Sequence, residues 1–279
     1  RHPPVKRVHS TDQITVYTIN IMNRINKLFN DRAKKDLLSV YFCAGYPTLN
    51  STVEIITELE RQGIDMIEVG IPFSDPMADG PVIQNAATQA LRNGMTLRLL
   101  FQQLRDVRHH IHLPLVLMGY LNPIMQYGFE NFCRSCVECG IDGVIIPDLP
   151  YRDYMEHYRI ISERYNIKVI MLITPETSEE RIRLIDEHTD GFIYMVSSAA
   201  TTGTQKDFNK EKLDYFQRTQ SMNLQNPRMI GFGISNKQTF QSACKYAAGA
   251  IIGSKFVTLL GEEGNPEKAV SKLLEALKE

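Results

Sequence analysis

Short apolar runs alternate along the chain with stretches whose apolar residues recur at helical spacing. The runs cover 38–43 (LSVYFC), 64–70 (IDMIEVG), 114–120 (PLVLMGY), 143–147 (GVIIP), 168–173 (KVIMLI), 191–196 (GFIYMV), 228–232 (RMIGF) and 249–252 (GAII). Most are Val, Ile, Leu and Met without strict polar alternation, the pattern of parallel strands covered on both faces. Between them lie helical signals. Asn50 or Ser51 is placed to cap a helix with the stripe Val53, Ile56 and Leu59, closed by Gly63. A second helix is expected from about Val82 to Arg92, closed by Gly94, and Thr96 caps a third with Leu97, Leu100, Phe101 and Leu104 on one face. Parallel neighbours need crossover connections, which these helices supply. Eight such units predict a (β/α)8 barrel, of the TIM-barrel class, with an extra N-terminal helix and an added helix after the second strand. An open, doubly wound sheet is the alternative. No G-x-G-x-x-G follows the first run, which weighs against dinucleotide binding.

The first 21 residues break the pattern. They carry two prolines and no helical stripe, whereas Met22 is followed by apolar residues at Ile25, Leu28 and Phe29 on one helical face. We read 1–21 as an upstream extension or expression remnant, with a short ordered arm as the alternative, and 22–279 as one barrel domain. The whole chain has 279 residues, 31 Lys plus Arg and 32 Asp plus Glu, for a net charge of -1. That balance excludes the basic stripe of a nucleic-acid protein and leaves room for a local anion site. No run is long and apolar enough to span a membrane. Five cysteines, an odd number, and no evident secretory signal point to a reducing, cytoplasmic compartment.

In a barrel the chemistry lies where strands end. After the seventh run comes Gly231-Phe-Gly233-Ile-Ser235, and after the eighth Gly253-Ser254 opens a short helix. Such turns let backbone N–H groups approach an anion, and these two loops are a recurrent phosphate site in barrels; tight βα turns are the bland alternative. Glu68 stands inside an apolar run between Ile67 and Val69, and Asp79 follows in a loop rich in Gly and Pro. A buried acid has a raised pKa suited to proton transfer, and two carboxyls on one rim can divide the roles. A salt-bridged structural Glu and a loop-capping Asp remain open as the other reading.

The stretch Ile67-Glu-Val-Gly-Ile-Pro-Phe-Ser-Asp-Pro-Met-Ala-Asp-Gly-Pro-Val-Ile-Gln84-Asn85-Ala86 resembles the signature of tryptophan synthase alpha chains. The resemblance extends to Gly45-Tyr-Pro, Gly231-Phe-Gly-Ile-Ser and Ile252-Gly-Ser254, in order from about Met22 onward. It implies a single barrel that cleaves indole-3-glycerol phosphate to indole and glyceraldehyde 3-phosphate, a retro-aldol lyase reaction of tryptophan biosynthesis. It also implies an α2β2 heterotetramer with a beta chain that carries pyridoxal phosphate, this chain holding no cofactor or metal. Glu68 matches the catalytic glutamate, which protonates indole C3 and assists deprotonation of the glycerol hydroxyl. Asp79 matches the aspartate that accepts the indole N–H, and Tyr194 the tyrosine near the glutamate. Gly203, Gly233, Gly253 and Ser254 match phosphate-binding positions. Tyr41, Tyr120 and Ile145 match the indole pocket, and Thr202 the loop residue that contacts the aspartate.

The loop after the sixth run departs from that pattern. The family reads close to Arg/Ser-x-Gly-Val-Thr-Gly, whereas Ala200 and Thr201 stand here before Thr202 and Gly203. Alanine at a glycine position stiffens a loop, which bears on closure and not on the reaction. Other features invite a metal reading. Cys133, Cys136 and Cys139 form C-x2-C-x2-C, but they fall in a helical pattern without a fourth ligand and read as packing residues. His109, His110 and His112 read as helix-end or solvent contacts.

Overall fold

The structure, a computed structural model, describes residues 22–197 and 208–278. The reading of residues 1–21 as an extension therefore lies outside the described residues. In chain order the elements are α1 (Arg24–Asn30), β1 (Leu37–Cys43), α2 (Thr52–Arg61), β2 (Met66–Gly70), α3 (Pro81–Arg92) and α4 (Leu97–Leu104). Then come β3 (Leu115–Met118), α5 (Leu121–Tyr127), α6 (Phe129–Cys139), β4 (Gly143–Ile145) and α7 (Tyr151–Asp153), which runs through a π turn into α8 (Arg159–Arg164). The second half holds β5 (Lys168–Ile170), β6 (Leu172–Ile173), α9 (Glu179–His188), β7 (Ile193–Val196) and α10 (Lys210–Ser221). It ends with β8 (Arg228–Gly231), α11 (Lys237–Tyr246), β9 (Gly249–Ile252), α12 (Ser254–Glu263) and α13 (Pro266–Ala276).

Every strand pairing is parallel, in the order β5-β4-β3-β2-β1-β9-β8-β7-β6. The nine segments come from the eight apolar runs, because β5 and β6 are two halves of 168–173 split at Met171. The first half pairs with β4 and the second with β7, and the Tyr194 N–H donates to the Met171 carbonyl at 3.0 Å. The fifth run thus joins the two ends of the sheet and closes the barrel. The open-sheet alternative is excluded. Strand residues are buried on both faces, as the unalternating runs predicted: all seven of β1 and all five of β2 are buried.

The helices follow the expected signals. Pro81 opens α3, where its missing N–H costs nothing, and Thr96 caps α4 by accepting from the Leu99 N–H. The stripe of α2 is rotated from the one expected: Ile55, Ile56 and Leu59 are buried, while Val53 is only partly covered, and Ser51 bonds the Tyr46 and Thr48 carbonyls instead of capping. The N-terminal helix α1 lies across the bottom of the barrel. Asn23 donates to the Asp142 and Asn166 carbonyls, and Ile25 fills the space beside Gly143, 2.9 Å from where a Cβ would stand. Asp142 there bridges Arg24 at 3.0 Å and Arg108 at 2.8 Å. The opposite end, where the strands finish, is left to the loops. Among the described residues no helix is long and apolar enough to cross a membrane, and no cluster of potential metal ligands occurs. Cys133, Cys136 and Cys139 are buried in α6, their thiols pushed up by burial. His109 and His112 are mostly exposed to solvent, as the solvent reading expected, and lie 3.8 and 3.7 Å from the Asp106 and Glu60 carboxylates.

Candidate active site

Alternation along β1 sends Ser39, Tyr41 and Cys43 to one face, and along β2 it does the same for Met66, Glu68 and Gly70. The register pairs Tyr41 with Glu68. Both side chains border a cavity at the C-terminal mouth of the barrel, together with Asp79, Met118, Tyr194, Ile251 and the segment Phe232–Ile234. Gly253, beside the Tyr41 ring, and Ser254 complete its lining.

Glu68 is wholly buried, and no salt bridge reaches it among the described residues. Its Oε1 accepts a hydrogen bond from the Ser39 hydroxyl at 3.2 Å, and its Oε2 has no partner among the described residues. Burial pushes its pKa up to about 8, against the lowering effect of the Ser39 bond. The salt-bridged structural Glu is therefore not what the barrel contains. Asp79 ends the loop that precedes α3. It does not cap that helix, whose cap position is Gly80 with no side-chain bond. Its Oδ2 instead accepts from the Tyr120 hydroxyl at 3.0 Å, and that hydroxyl accepts from the Ala78 N–H at 3.0 Å. One phenol so fixes both the loop backbone and the carboxyl. Burial raises Asp79 to about 6, with the Tyr120 bond pulling the other way. Two carboxyls on one cavity thus differ in acidity, Glu68 the weaker acid.

Two glycines make room for two tyrosines. A Cβ on Gly231 would stand 2.3 Å from the Tyr194 hydroxyl, and one on Gly70 would stand 2.2 Å from that of Tyr41. Burial first, then the negative charge of Glu68 and Asp79, holds Tyr194 well above its ordinary value, so it stays neutral. Phe232 turns its ring edge toward Tyr194, centroids 6.1 Å apart, from a left-handed backbone conformation (φ 66°) that its glycine neighbours flank. Gly233 has φ 76°.

The structure gathers Tyr41, Glu68, Asp79, Tyr194, Gly233, Gly253 and Ser254 around the cavity. Tyr120 reaches it through Asp79. Ile145 is wholly buried in β4, paired in register with Met118, and is not among the residues that border the cavity. Thr202 and Gly203, with Ala200 and Thr201, lie outside the described residues. Sequence reasoning missed Met118, Ile251 and Phe232 as lining residues, and Ser39 as the partner of Glu68. The signal for Ser39 was present as a lone small hydroxyl in LLSVYFC, two residues before Tyr41 and so on its face.

A closed parallel barrel with a paired weak and stronger acid at its mouth, beside a glycine-rich rim, defines a barrel enzyme that moves protons on a small substrate. Comparison with known proteins narrows this. The chain belongs to the tryptophan synthase alpha chain family, whose model matches residues 28–279. The tryptophan synthase alpha chain of Bacteroides thetaiotaomicron is 74% identical over 257 residues, covering 92% of this chain and all of the relative. That of Phocaeicola vulgatus is 73% identical over 258 residues, with the same coverage. Among solved structures, tryptophan synthase subunit alpha from Legionella pneumophila superposes with a TM-score of 0.82 at 34% identity, over 92% of this chain and 97% of that one. The tryptophan synthase complex from Pyrococcus furiosus gives 0.78 at 35% identity, over 88% and 98%. The alpha subunit is a lyase that cleaves indole-3-glycerol phosphate in tryptophan biosynthesis.

Proposed function

We propose that Glu68 carries the proton in this cleavage and that Asp79 holds the indole nitrogen. At neutral pH a carboxyl with a pKa of about 8 is mostly protonated. It gives its proton to indole C3, and positive charge develops on the ring nitrogen. The resulting Glu68 carboxylate then takes the proton of the hydroxyl on the carbon attached to C3. The O–H electron pair becomes the aldehyde C=O, the C–C bond breaks, and its pair returns to the ring. Indole and glyceraldehyde 3-phosphate leave, and Glu68 ends protonated, as it began. Asp79, mostly ionised above about pH 6, accepts the indole N–H and offsets the ring charge. Tyr194 stands beside them as a neutral wall. The observation that carries this reading is Oε2 of Glu68, without a partner among the described residues and buried beside a cavity it shares with Asp79.

The phosphate falls to backbone N–H groups at Gly233, Gly253 and the N-terminus of α12 at Ser254, joined by Gly203, where helix dipole and glycine turns favour an anion without Lys or Arg. Tyr41 and Tyr120 border the indole ring, and Thr202 contacts Asp79 when the loop after β7 closes. The partner is a beta chain in an α2β2 heterotetramer, and pyridoxal phosphate belongs to that chain. No lysine occurs among the described residues bordering this cavity, so a Schiff base has no attachment there. The enzyme works in the cytoplasm, and its catalytic unit is the single domain 22–279. The test is indole release from indole-3-glycerol phosphate by Glu68→Gln and Asp79→Asn, with and without a beta chain. Undiminished turnover in either variant would remove that residue from the mechanism.

A further inference from the structure

We infer that Ser39 is a positioning residue for the cleavage: its hydroxyl, by bonding Oε1 of Glu68, leaves Oε2 as the oxygen that carries and delivers the proton. The inference rests on the role proposed for Glu68. Ser39 is fully buried in the middle of β1, where a hydroxyl is costly unless it is bonded. Its register partner on β2 is Met66, so it stands one pleat below the Tyr41–Glu68 pair, beneath the cavity floor. It does not border the cavity and can act on substrate only through Glu68. The Oγ–Oε1 distance is 3.2 Å, and this is the one hydrogen bond the carboxyl makes among the described residues. A carboxyl torsion is broad and nearly two-fold, so without that bond neither oxygen is preferred. With it, Oε1 is the acceptor and the acid proton sits on Oε2. Once Oε2 has given up its proton, the same bond stabilises the carboxylate that must next act as base.

Other titratable groups face this space: Tyr41 and Cys43 from β1, Tyr194 from β7, and Asp79 with Tyr120 at the rim. The tyrosines and the thiol are all held above their ordinary values by burial first and stay neutral, and Asp79 ionises below Glu68. A titration near pH 8 therefore reports Glu68.

The experiment uses the full chain, with and without a beta chain, as Ser39→Ala, Ser39→Thr and Ser39→Val. The last two have nearly equal volume, and only Thr keeps the hydroxyl. Two quantities are read: the pH profile of kcat and KM for indole release, and the infrared titration of the buried carboxylic acid, assigned by subtracting Glu68→Gln. In Ser39→Ala, kcat is expected to fall about tenfold with KM little changed, and the alkaline limb and infrared midpoint to rise by about one pH unit. Ser39→Thr restores both and Ser39→Val does not. An unmoved infrared midpoint in Ala and Val, or Thr behaving like Val, overturns the inference. If Glu68→Gln keeps its turnover, the role of Glu68 fails instead, and the infrared midpoint still decides whether Ser39 holds the carboxyl.

Discussion

Replacing Glu68 by Gln separates the chemistry of the carboxyl from its effect on the fold. The side chain keeps its shape, and the Ser39 hydroxyl still finds an oxygen to bond. What disappears is an acid whose pKa moves from an ordinary 4.5 to about 8 on folding. Below about pH 4.5 both folded and unfolded chains hold the proton, and the carboxyl costs nothing. As pH rises the unfolded chain ionises first, so the native state loses relative stability up to about pH 8, above which the loss is constant. At about 1.36 kcal/mol per pH unit, the full window is worth up to about 5 kcal/mol. Gln removes that window. The variant is therefore expected to unfold at similar urea to wild type near about pH 5, and to be more stable by a few kcal/mol near about pH 9. Asp79 titrates in both proteins and cancels in the comparison. With no tryptophan in the chain, far-ultraviolet circular dichroism is the suitable signal for unfolding. Indole release should fall by about 10²–10⁴ in the same variant, the range for losing a positioned proton carrier. Parallel pH dependences of stability in the two proteins would refute the argument, because they would mean that Glu68 is not held protonated by burial.

The remaining predictions concern the rim. The pH profile of kcat/KM should be a bell with an acid limb near 6 from Asp79, which must be ionised, and an alkaline limb near 8 from Glu68, which must be protonated; Asp79→Asn should abolish the acid limb and cost about 10²–10³ in rate, and a retained limb would assign it elsewhere. Tyr120→Phe removes the bond that lowers Asp79, so its acid limb should move upward while the alkaline limb stays put. Gly231→Ala drives a Cβ into the Tyr194 hydroxyl and should destabilise by about 1–3 kcal/mol in urea titrations, an effect that Tyr194→Phe in the same chain should leave largely in place, because the ring carbons Cζ and Cε1 would still stand 2.6 and 2.7 Å from that Cβ. Gly233→Asp should raise KM for the phosphorylated substrate sharply while Gly233→Asn, which tolerates the same positive φ, should raise it much less; equal values would show backbone strain and not charge at work.

The fold was legible because parallel barrel strands declare themselves one run at a time. Each of the eight runs is buried on both faces, so its composition alone marks it, and run 249–252 matches β9 residue for residue. The split of run 168–173 at Met171 was not legible, since it depends on which neighbour each half meets when the barrel closes. The rotated stripe of α2 has a similar cause: the helix settles against α4 and α13, and their packing chooses between adjacent faces of similar apolarity. At the site, Glu68 was visible as an acid where only apolar residues belong, and Gly233, Gly253 and Ser254 as rim residues by their place after a strand. The pairing of Ile145 with the cavity-lining Met118 was not legible, since it depends on how β3 and β4 meet.

The sequence by itself determined the elements, their order, the parallel sheet and the residues whose chemistry is out of place in a core. These follow from local composition and periodicity, which need no partner to be read. Only the tertiary structure decided which groups meet. Ser39 lies 29 positions from Glu68 and Tyr120 41 positions from Asp79, and the closed sheet brings each pair within hydrogen-bond reach. The separation of the two acidities is likewise tertiary, because a pKa is set by the solvent a group has lost and the partners it has gained. Both quantities exist only once the barrel has closed around it.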